Sequence, residues 1–517
     1  MSLGRAIATV GGFTLVSRVV GFLRDVVLSA VLGAGPIADA FVIALKLPNF
    51  FRRLFAEGAF SAAFVPLFAR ELHDGGREAA LTFARQAQAV LLVVLLPLSV
   101  LAIVAMPWVM RALAPGLADE ATFELAVDFG RITFPYLLFI SLMSLYGGVL
   151  NGIERFAHVA ATPILLNLTL IAAVLGLTPF LPNGGYAAAI GVALSGVAQW
   201  LWLLWACRRE DVVVRLARPR LTERVRRLVV LAAPIAIGGG AQQISLMLDV
   251  VWASLMPAGA IAALYYADRL AQLPLGVAGV AIGTALLPLL ARNLRSGDEE
   301  AAMDNQNRAV ELGLLFALPA AAALWILAEP ITRLLFERGQ FIPSDTVRAA
   351  SALSAFAVGI PAFVAIKALT PGFFAREDTR TPLYTAIISI IANIALNIVF
   401  LYATNLQHVG IALASSLAGW LNLAMLMAIL VARGHWIPDT RLWQRSFGIL
   451  LATAGMSLPL VLASQPGDSD LKVLALCAGG GALYVALGML LRVVRLDELR
   501  AALRRPPGVK REMSDSE

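Results

Sequence analysis

Apolar runs of about twenty residues follow one another from the start of this chain to about Leu491, and that repetition leaves little choice of fold. A run of this length, coiled as an α-helix, crosses a hydrocarbon core of about 30 Å. The bilayer interior offers backbone N–H and C=O groups no partner, so a spanning segment must satisfy them within its own helix. The 517-residue chain is 59% hydrophobic with mean hydropathy +0.79, above the roughly 45–50% apolar share of soluble domains. The pattern predicts an all-α polytopic membrane protein of about fourteen transmembrane helices. We place spans near 7–31, 37–68, 80–106, 122–151, 158–178, 186–206, 226–254, 260–290, 308–328, 347–374, 382–402, 408–431, 446–463 and 471–491. The first is read as a retained span rather than a cleaved leader, because polar residues after Val16 lead straight into a further apolar run.

Charge orients the chain. The formal net charge of +7 is carried in short loops rather than on one soluble face, so nucleic acid is not the expected partner. Alternate loops hold Arg70 and Arg77, Arg155, the run from Arg208 to Arg227, Arg292 and Arg295, Arg376 and Arg380, and Arg433 and Arg441. The loops Leu32 to Ile37, Pro179 to Tyr186, Met256 to Ile261 and Tyr402 to Gln407 contain no Lys or Arg. The positive-inside bias therefore predicts both termini in the cytoplasm. Cys207 and Cys477 are far apart in sequence and read as packing residues.

The two halves resemble each other. Ala34-Gly35-Pro36-Ile37-Ala38 opens a segment ending in Pro66-Leu67-Phe68-Ala69-Arg70, and Ala258-Gly259-Ala260-Ile261-Ala262 opens one ending in Pro288-Leu289-Leu290-Ala291-Arg292. The distance from Gly35 to Arg70 is 35 residues and from Gly259 to Arg292 is 33, which marks a repeat with a two-residue slip. The expected organisation is an N-terminal lobe over 1–206, a cytoplasmic Arg-rich linker over 207–225, a C-terminal lobe over 226–431, two added helices over 432–491 and a cytoplasmic tail over 492–517. Parallel repeats of six spans suit a transporter that rocks around a central site.

The first two spans carry Arg18, Arg24, Asp25, Asp39, Lys46, Arg52, Arg53 and Glu57, five positive and three negative charges, net +2. Each would cost roughly 2.5–3.5 kcal/mol at the bilayer centre, so they must face a cavity, one another or the interfaces. Arg18 and Asp25 are seven residues apart, and Asp39, Lys46 and Arg53 repeat every seven, so each set shares a helix face. Mutual pairing that only holds helices together would explain single members. The excess of arginine suits an anionic ligand, because the guanidinium fork binds phosphate in bidentate fashion and keeps its charge. Asp268-Arg269 adds a second-half contribution, which predicts a cationic cavity between the lobes. Asp249, with Asn393 and Asn397 one turn apart, offers oxygen donors for a small cation, with interhelical hydrogen bonding the equally good reading. Lys367 is a candidate for the cavity wall. The four histidines have no metal-ligand spacing, and no P-loop or nucleophile elbow occurs.

The run Ser17-Arg18-Val19-Val20-Gly21-Phe22-Leu23-Arg24-Asp25, followed by Ala38-Asp39-Ala40-Phe41, Lys46-Leu47-Pro48-Asn49 and Arg52-Arg53-Leu54-Phe55-Ala56-Glu57-Gly58, resembles the MurJ (MviN) lipid II flippases. Tyr266-Ala267-Asp268-Arg269 and the Arg376 to Pro382 segment strengthen the resemblance, which covers essentially the whole chain. It implies the fold of the multidrug/oligosaccharidyl-lipid/polysaccharide exporter superfamily: two six-helix lobes around a central cationic cavity, plus two C-terminal helices forming a groove for a lipid tail. It also implies lipid II as substrate, a bacterial inner-membrane location, transport without covalent chemistry, and membrane lipids as surroundings. A monomer is expected, with the cell-wall synthesis machinery as a candidate partner. By resemblance Arg18, Arg24, Arg52 and Arg269 engage the pyrophosphate and head group, with Asp25 and Asp39 as acidic partners; Arg53, on the Asp39 and Lys46 stripe, is a further substrate-binding candidate. Asp249, Asn393 and Asn397 match a sodium site that some members use, although Asn397 stands where a carboxylate can occur. The alternatives are an exporter of another lipid-linked oligosaccharide or drug on the same fold, a membrane enzyme acting on lipid-linked sugars, and a scaffold recruiting partners through its tail.

Overall fold

The computed structural model describes residues 3–52, 60–117, 119–465 and 467–494, and among them the regular structure is helical throughout, without strands. Arg53, Glu57 and the tail from residue 495 lie outside the described residues. The chain runs α1 (Leu3–Leu32), α2 (Pro36–Phe51), α3 (Phe60–Val104), α4 (Met106–Leu113), α5 (Glu120–Thr133), α6 (Tyr136–Gly152), α7 (Phe156–Leu177), α8 (Gly184–Arg209) and α9 (Glu223–Ser254). It continues with α10 (Ala260–Arg295), α11 (Glu299–Ile326), α12 (Ala328–Phe336), α13 (Pro343–Phe374), α14 (Arg380–Ala403), α15 (Gln407–Ala432), α16 (Thr440–Ala463) and α17 (Asp470–Leu490).

Ten helical stretches among the described residues are long and apolar enough to cross a membrane. Two of them differ instructively from the expected spans. The expected 80–106 span is the second part of α3, which leaves helical geometry at Gly76 (φ 70°, ψ −173°), inside the charged stretch Arg70 to Glu78. The expected 122–151 span is α5 and α6 joined at Phe134-Pro135, where proline removes a backbone donor. The expected span 37–68 is α2 followed by the opening of α3, with residues 53–59 undescribed between them. The short helices α4 and α12 lie between the expected spans and carry Arg111 and Arg333 in their last turns.

The chain divides into two compact units. The first comprises residues 1–269, 335–352 and 397–412; the second comprises 270–334, 353–396 and 413–517. In the first unit Phe60, Phe64, Phe68 and Phe83 stack at 5.2–5.7 Å, and glycine lets α6 approach them closely. A Cβ on Gly148 would lie 2.6 Å from Phe64, and one on Gly152 2.5 Å from Phe68. Such close approach is how helices associate where lipid removes the hydrophobic drive between them. The basic linker is pinned to this core: Val212 and Val214 are buried, Tyr146 Oη donates to Val214 O at 3.1 Å, and Arg155 meets Glu210 at 3.0 Å.

In the second unit α16 and α17 pack on α11 through Leu327, Ala452, Met456, Leu460 and Tyr484, whose hydroxyl donates to Leu315 O at 2.8 Å. An ion cluster anchors the start of α16. Buried Glu311 accepts from Arg308 and Arg445, and Arg308 also reaches Asp439, the residue that caps α16 at Leu442 N. A charged cluster at this depth is tolerated because each member has an opposite charge in contact.

Candidate functional site

The first unit gathers polar residues from α1, α7 and α10 into one connected chain. Arg24 donates through Nε and Nη2 to Asp25 Oδ1 at 3.0 and 2.6 Å, and through Nη1 to Asn167 Oδ1 at 3.0 Å. Asn167 fixes its amide by donating from Nδ2 to Ser17 O at 3.2 Å. That approach depends on Gly21, because a Cβ there would sit 3.1 Å from Asn167 Nδ2. On its other side Asp25 accepts from Tyr265 Oη at 3.1 Å. The Tyr265 ring lies under Arg269, with the guanidinium carbon 4.9 Å from the ring centroid.

Arg269 differs from Arg24 in what its guanidinium touches. It is 3.6 Å from Asp268, and its Nε is buried with no hydrogen-bond partner among the described residues. A buried donor left without an acceptor is costly unless a ligand fills the gap, so this atom marks where an acceptor belongs. Arg18 lies on α1 one residue beyond Ser17 and is exposed. Arg18, Arg24 and Arg269 outnumber Asp25 and Asp268 by one charge. Arg52 stands half-buried at the end of α2, and Arg53 lies outside the described residues.

Asp39 is placed elsewhere. Its oxygens accept from Gly259 N at 2.5 Å and Ala262 N at 2.7 Å, so it caps the N-terminus of α10, where backbone donors and the helix dipole favour a carboxylate. Asp345, at the start of α13, accepts from Ala34 N at 3.1 Å and from Arg348 Nη2 at 2.5 Å. Arg348 Nη1 in turn donates to Ala258 O at 2.7 Å. Gly259 has φ +90°, and a Cβ there would fall 2.3 Å from Ala34 O. The two segments recognised as repeats, 34–38 and 258–262, thus meet directly and are locked by two carboxylates and one guanidinium.

Asp249, on α9, is half-buried; its Oδ1 accepts no hydrogen bond among the described residues, and Lys46 and Asp268 are the charged side chains acting on it. Asn393 and Asn397 are buried on one face of α14, and Asn393 Nδ2 donates to Ser415 Oγ at 3.3 Å. Lys367 is exposed on α13 and donates to Leu275 O at 3.4 Å. Four residues that organise these clusters escaped the sequence reading: Asn167, Tyr265, Asp345 and Arg348. Tyr265 stands four residues before Arg269, a spacing that puts both on one helix face, and Asn167 is the lone amide in the apolar run of α7.

Comparison with known proteins bears on what these clusters serve. A family model described as "Lipid II flippase MurJ" matches residues 28–469. A "Probable lipid II flippase MurJ" of Rhizobium meliloti (strain 1021) is 45% identical over 523 residues, covering 98% of this chain and 97% of the relative. A "Lipid II flippase MurJ" of Burkholderia cenocepacia (strain J2315) is 37% identical, covering 88% of this chain and 90% of the relative. Among solved structures, a lipid II flippase MurJ in an inward closed conformation superposes with TM-score 0.79 at 24% identity, over 96% of this chain and 99% of the other. An inward-facing multidrug transporter of the MATE family, in the MOP superfamily, gives TM-score 0.69 at 16% identity over 80% and 94%. Both are likenesses of fold.

Proposed function

The chain belongs to the MurJ lipid II flippase family, and from that membership we propose that Arg24 and Arg269 receive the lipid II head group during alternating access. The protein is a multi-pass membrane protein whose work is the transport of lipid II. The observation that carries the head-group site is the buried Arg269 Nε, without a partner among the described residues, set beside an arginine already oriented by Asp25 and Asn167.

A pyrophosphate is a polyanion that the bilayer rejects, and guanidinium groups held away from bulk water replace its hydration with charge-assisted hydrogen bonds. Asp25 keeps Arg24 and Tyr265 in place between substrates, and a phosphate oxygen competes with it for the same donors. Arg18 and Arg52 extend the cationic path. Asp39, Asp345 and Arg348 serve as the closure of the outer end, since both segments that they join lie in loops without Lys or Arg. Fourteen spans, cytoplasmic termini, lobes over 1–206 and 226–431 and a tail groove on α16 and α17 complete this reading. No bond of the substrate is made or broken in it.

Sodium coupling belongs to the same proposal. Asp249 would supply a carboxylate, a hard donor that suits a small cation, and its Oδ1, which accepts no hydrogen bond among the described residues, fits such a ligand. A bound cation would neutralise that carboxylate. Replacing sodium with choline in a transport assay tests the coupling: an unchanged rate removes it.

The deciding experiment for the whole reading measures the lipid II exposed on the outer leaflet, through its cleavage by an externally added lipid II-degrading toxin, before and after depletion of the protein. Exposure is expected to collapse on depletion, to return with the wild-type chain, and to stay low with Arg269→Ala. Undiminished exposure in cells lacking any second flippase would overturn lipid II as the substrate.

A further inference from the structure

The facing surfaces of α14 and α15 change character along their length. Thr385, Ser389 and Asn393 recur every four residues and are buried on one face of α14. Two of them zip the helices together: Ser389 Oγ donates to Ala418 O at 2.6 Å and Asn393 Nδ2 to Ser415 Oγ at 3.3 Å. Thr385, the next position toward the Arg433 end, turns its hydroxyl back to Pro382 O at 3.1 Å. Where the cross-helix bonding stops, a groove of about 440 Å³ opens, within the roughly 300–1,000 Å³ typical of ligand sites.

The groove is apolar along its walls and cationic at one end. Tyr384, Ile388, Met425 and Ile429 line it, and Arg433 stands at its mouth. Tyr384 (60% exposed) and Ile388 (48%) belong to the stripe Leu383, Tyr384, Ile387, Ile388 and Ile391, the lipid-facing side of a transmembrane helix. Arg433 uses Nη1 on Asp378 Oδ2 at 2.6 Å and Nη2 on Thr381 Oγ1 at 3.2 Å, which leaves N–H groups of its five for another acceptor. Asp378 is itself filled, accepting from Arg380 N, Thr381 N and Thr381 Oγ1 as well as from Arg433. At this end Arg376, Arg380 and Arg433 exceed Glu377 and Asp378 by one positive charge.

An apolar slot open to the bilayer with a cationic lip fits an occupant that has a hydrocarbon chain and an anionic head. We propose that the α14/α15 groove binds an anionic phospholipid of the surrounding leaflet, one acyl chain lying along Ile388 and Ile429 and its phosphate on Arg433. A soluble anion gains nothing from the apolar walls. A zwitterionic head group would bring a cation of its own to the end where Arg433 stands. The lipid then fills the gap that the Ser389 and Asn393 hydrogen bonds leave, and holds the two helices at their separation.

The test is native mass spectrometry of the full chain in detergent, with phosphatidylglycerol and phosphatidylcholine added at equal concentration. Wild type is expected to retain one more phosphatidylglycerol than Arg433→Gln or than Ile388→Trp, which fills the slot, with occupancy falling about fivefold. Met425→Trp serves the same purpose should Ile388→Trp not fold. Unchanged phosphatidylglycerol occupancy in the charge and the filling variants overturns the proposal. So does equal retention of phosphatidylcholine, or displacement of the lipid by millimolar inorganic phosphate alone.

Discussion

Asp25 and Asp39 are the same residue type at the same burial, 3% exposed each, yet they are held in different ways. Asp25 accepts from side chains, Arg24 and Tyr265, which can swing to a new partner at the cost of a rotamer change. Asp39 accepts from backbone N–H groups at the start of α10, which cannot move unless the helix moves. The first arrangement suits a carboxylate that surrenders its donors to a ligand. The second suits one that reports whether two helices are together. Charge inside a membrane protein therefore needs to be sorted by the mobility of its partners, and not only by its sign.

The largest effects are expected in the Arg24 cluster. Arg24→Ala leaves Asp25 without its main partner and removes the donor proposed for the phosphate, so transport should fall by at least about a hundredfold, around 2.7 kcal/mol, with insertion unchanged. Arg269→Ala should match it. Arg24→Lys, which keeps charge but loses the fork that spans Asp25 and Asn167, should recover only a minor part. Surviving lipid II exposure in Arg24→Ala cells would detach the substrate from this cluster. Arg77→Ala, on the exposed charged stretch of α3 beside Gly76, should transport normally and serves as the control.

Asp39 should separate charge from capping. Asp39→Asn keeps an oxygen for Gly259 or Ala262 and should transport near the wild-type rate, whereas Asp39→Ala loses a cap worth roughly 0.5–2 kcal/mol. The expected readout is a rise in the labelling of an Ala34→Cys probe by a membrane-impermeant thiol reagent in the Asp39→Ala background. Asp25→Ala should not raise it. Equal sensitivity of Asp39→Asn and Asp39→Ala in transport would make the Asp39 charge an acidic partner of the arginines, as the sequence resemblance implies. Gly259→Ala sharpens the same point: at φ +90°, with Ala34 O in the way, it should cost about 1–3 kcal/mol and open the closure.

Much of this was legible in the chain itself. Because lipid imposes one length and one hydrogen-bonding solution on each span, hydropathy located the long apolar helices, though not the break at Pro135 or the short helices α4 and α12. The 34–38 and 258–262 repeat identified the two segments that meet, though not that Asp39 of one caps the other. Capping is set by which helix N-terminus lies in reach, a tertiary fact with no sequence period. Arg24, Asp25 and Arg269 were readable as a charge excess in apolar runs, whereas Tyr265 carries no charge and Asn167 is a lone amide with no charged residue on its own helix to mark it. Asp345 and Arg348 lie three residues apart in the first turns of α13, and only the contacts to Ala34 and Ala258, which no sequence spacing announces, give the pair a role.

The smallest expected effect isolates capping from the membrane. Asp378 caps α14 much as Asp39 caps α10, but it lies in a loop outside the spans. The hydrogen bonds from Thr381, with Arg433 behind them, hold its carboxyl well below the usual carboxylate range. A group whose folded value is depressed contributes its full stability above the unfolded value, about 3.9, and loses it as pH falls through the folded one. Thermal unfolding in detergent should therefore show no contribution from Asp378 to the pH dependence between pH 7 and pH 5. Below about pH 4 the wild-type midpoint should drop relative to Asp378→Asn, which keeps one amide oxygen for the cap and does not titrate. Parallel curves for the two proteins down to pH 3 would mean that the Asp378 charge adds nothing to its cap. The backbone donors alone would then hold such a helix end, and the contrast between Asp25 and Asp39 would rest on partner mobility without any help from charge.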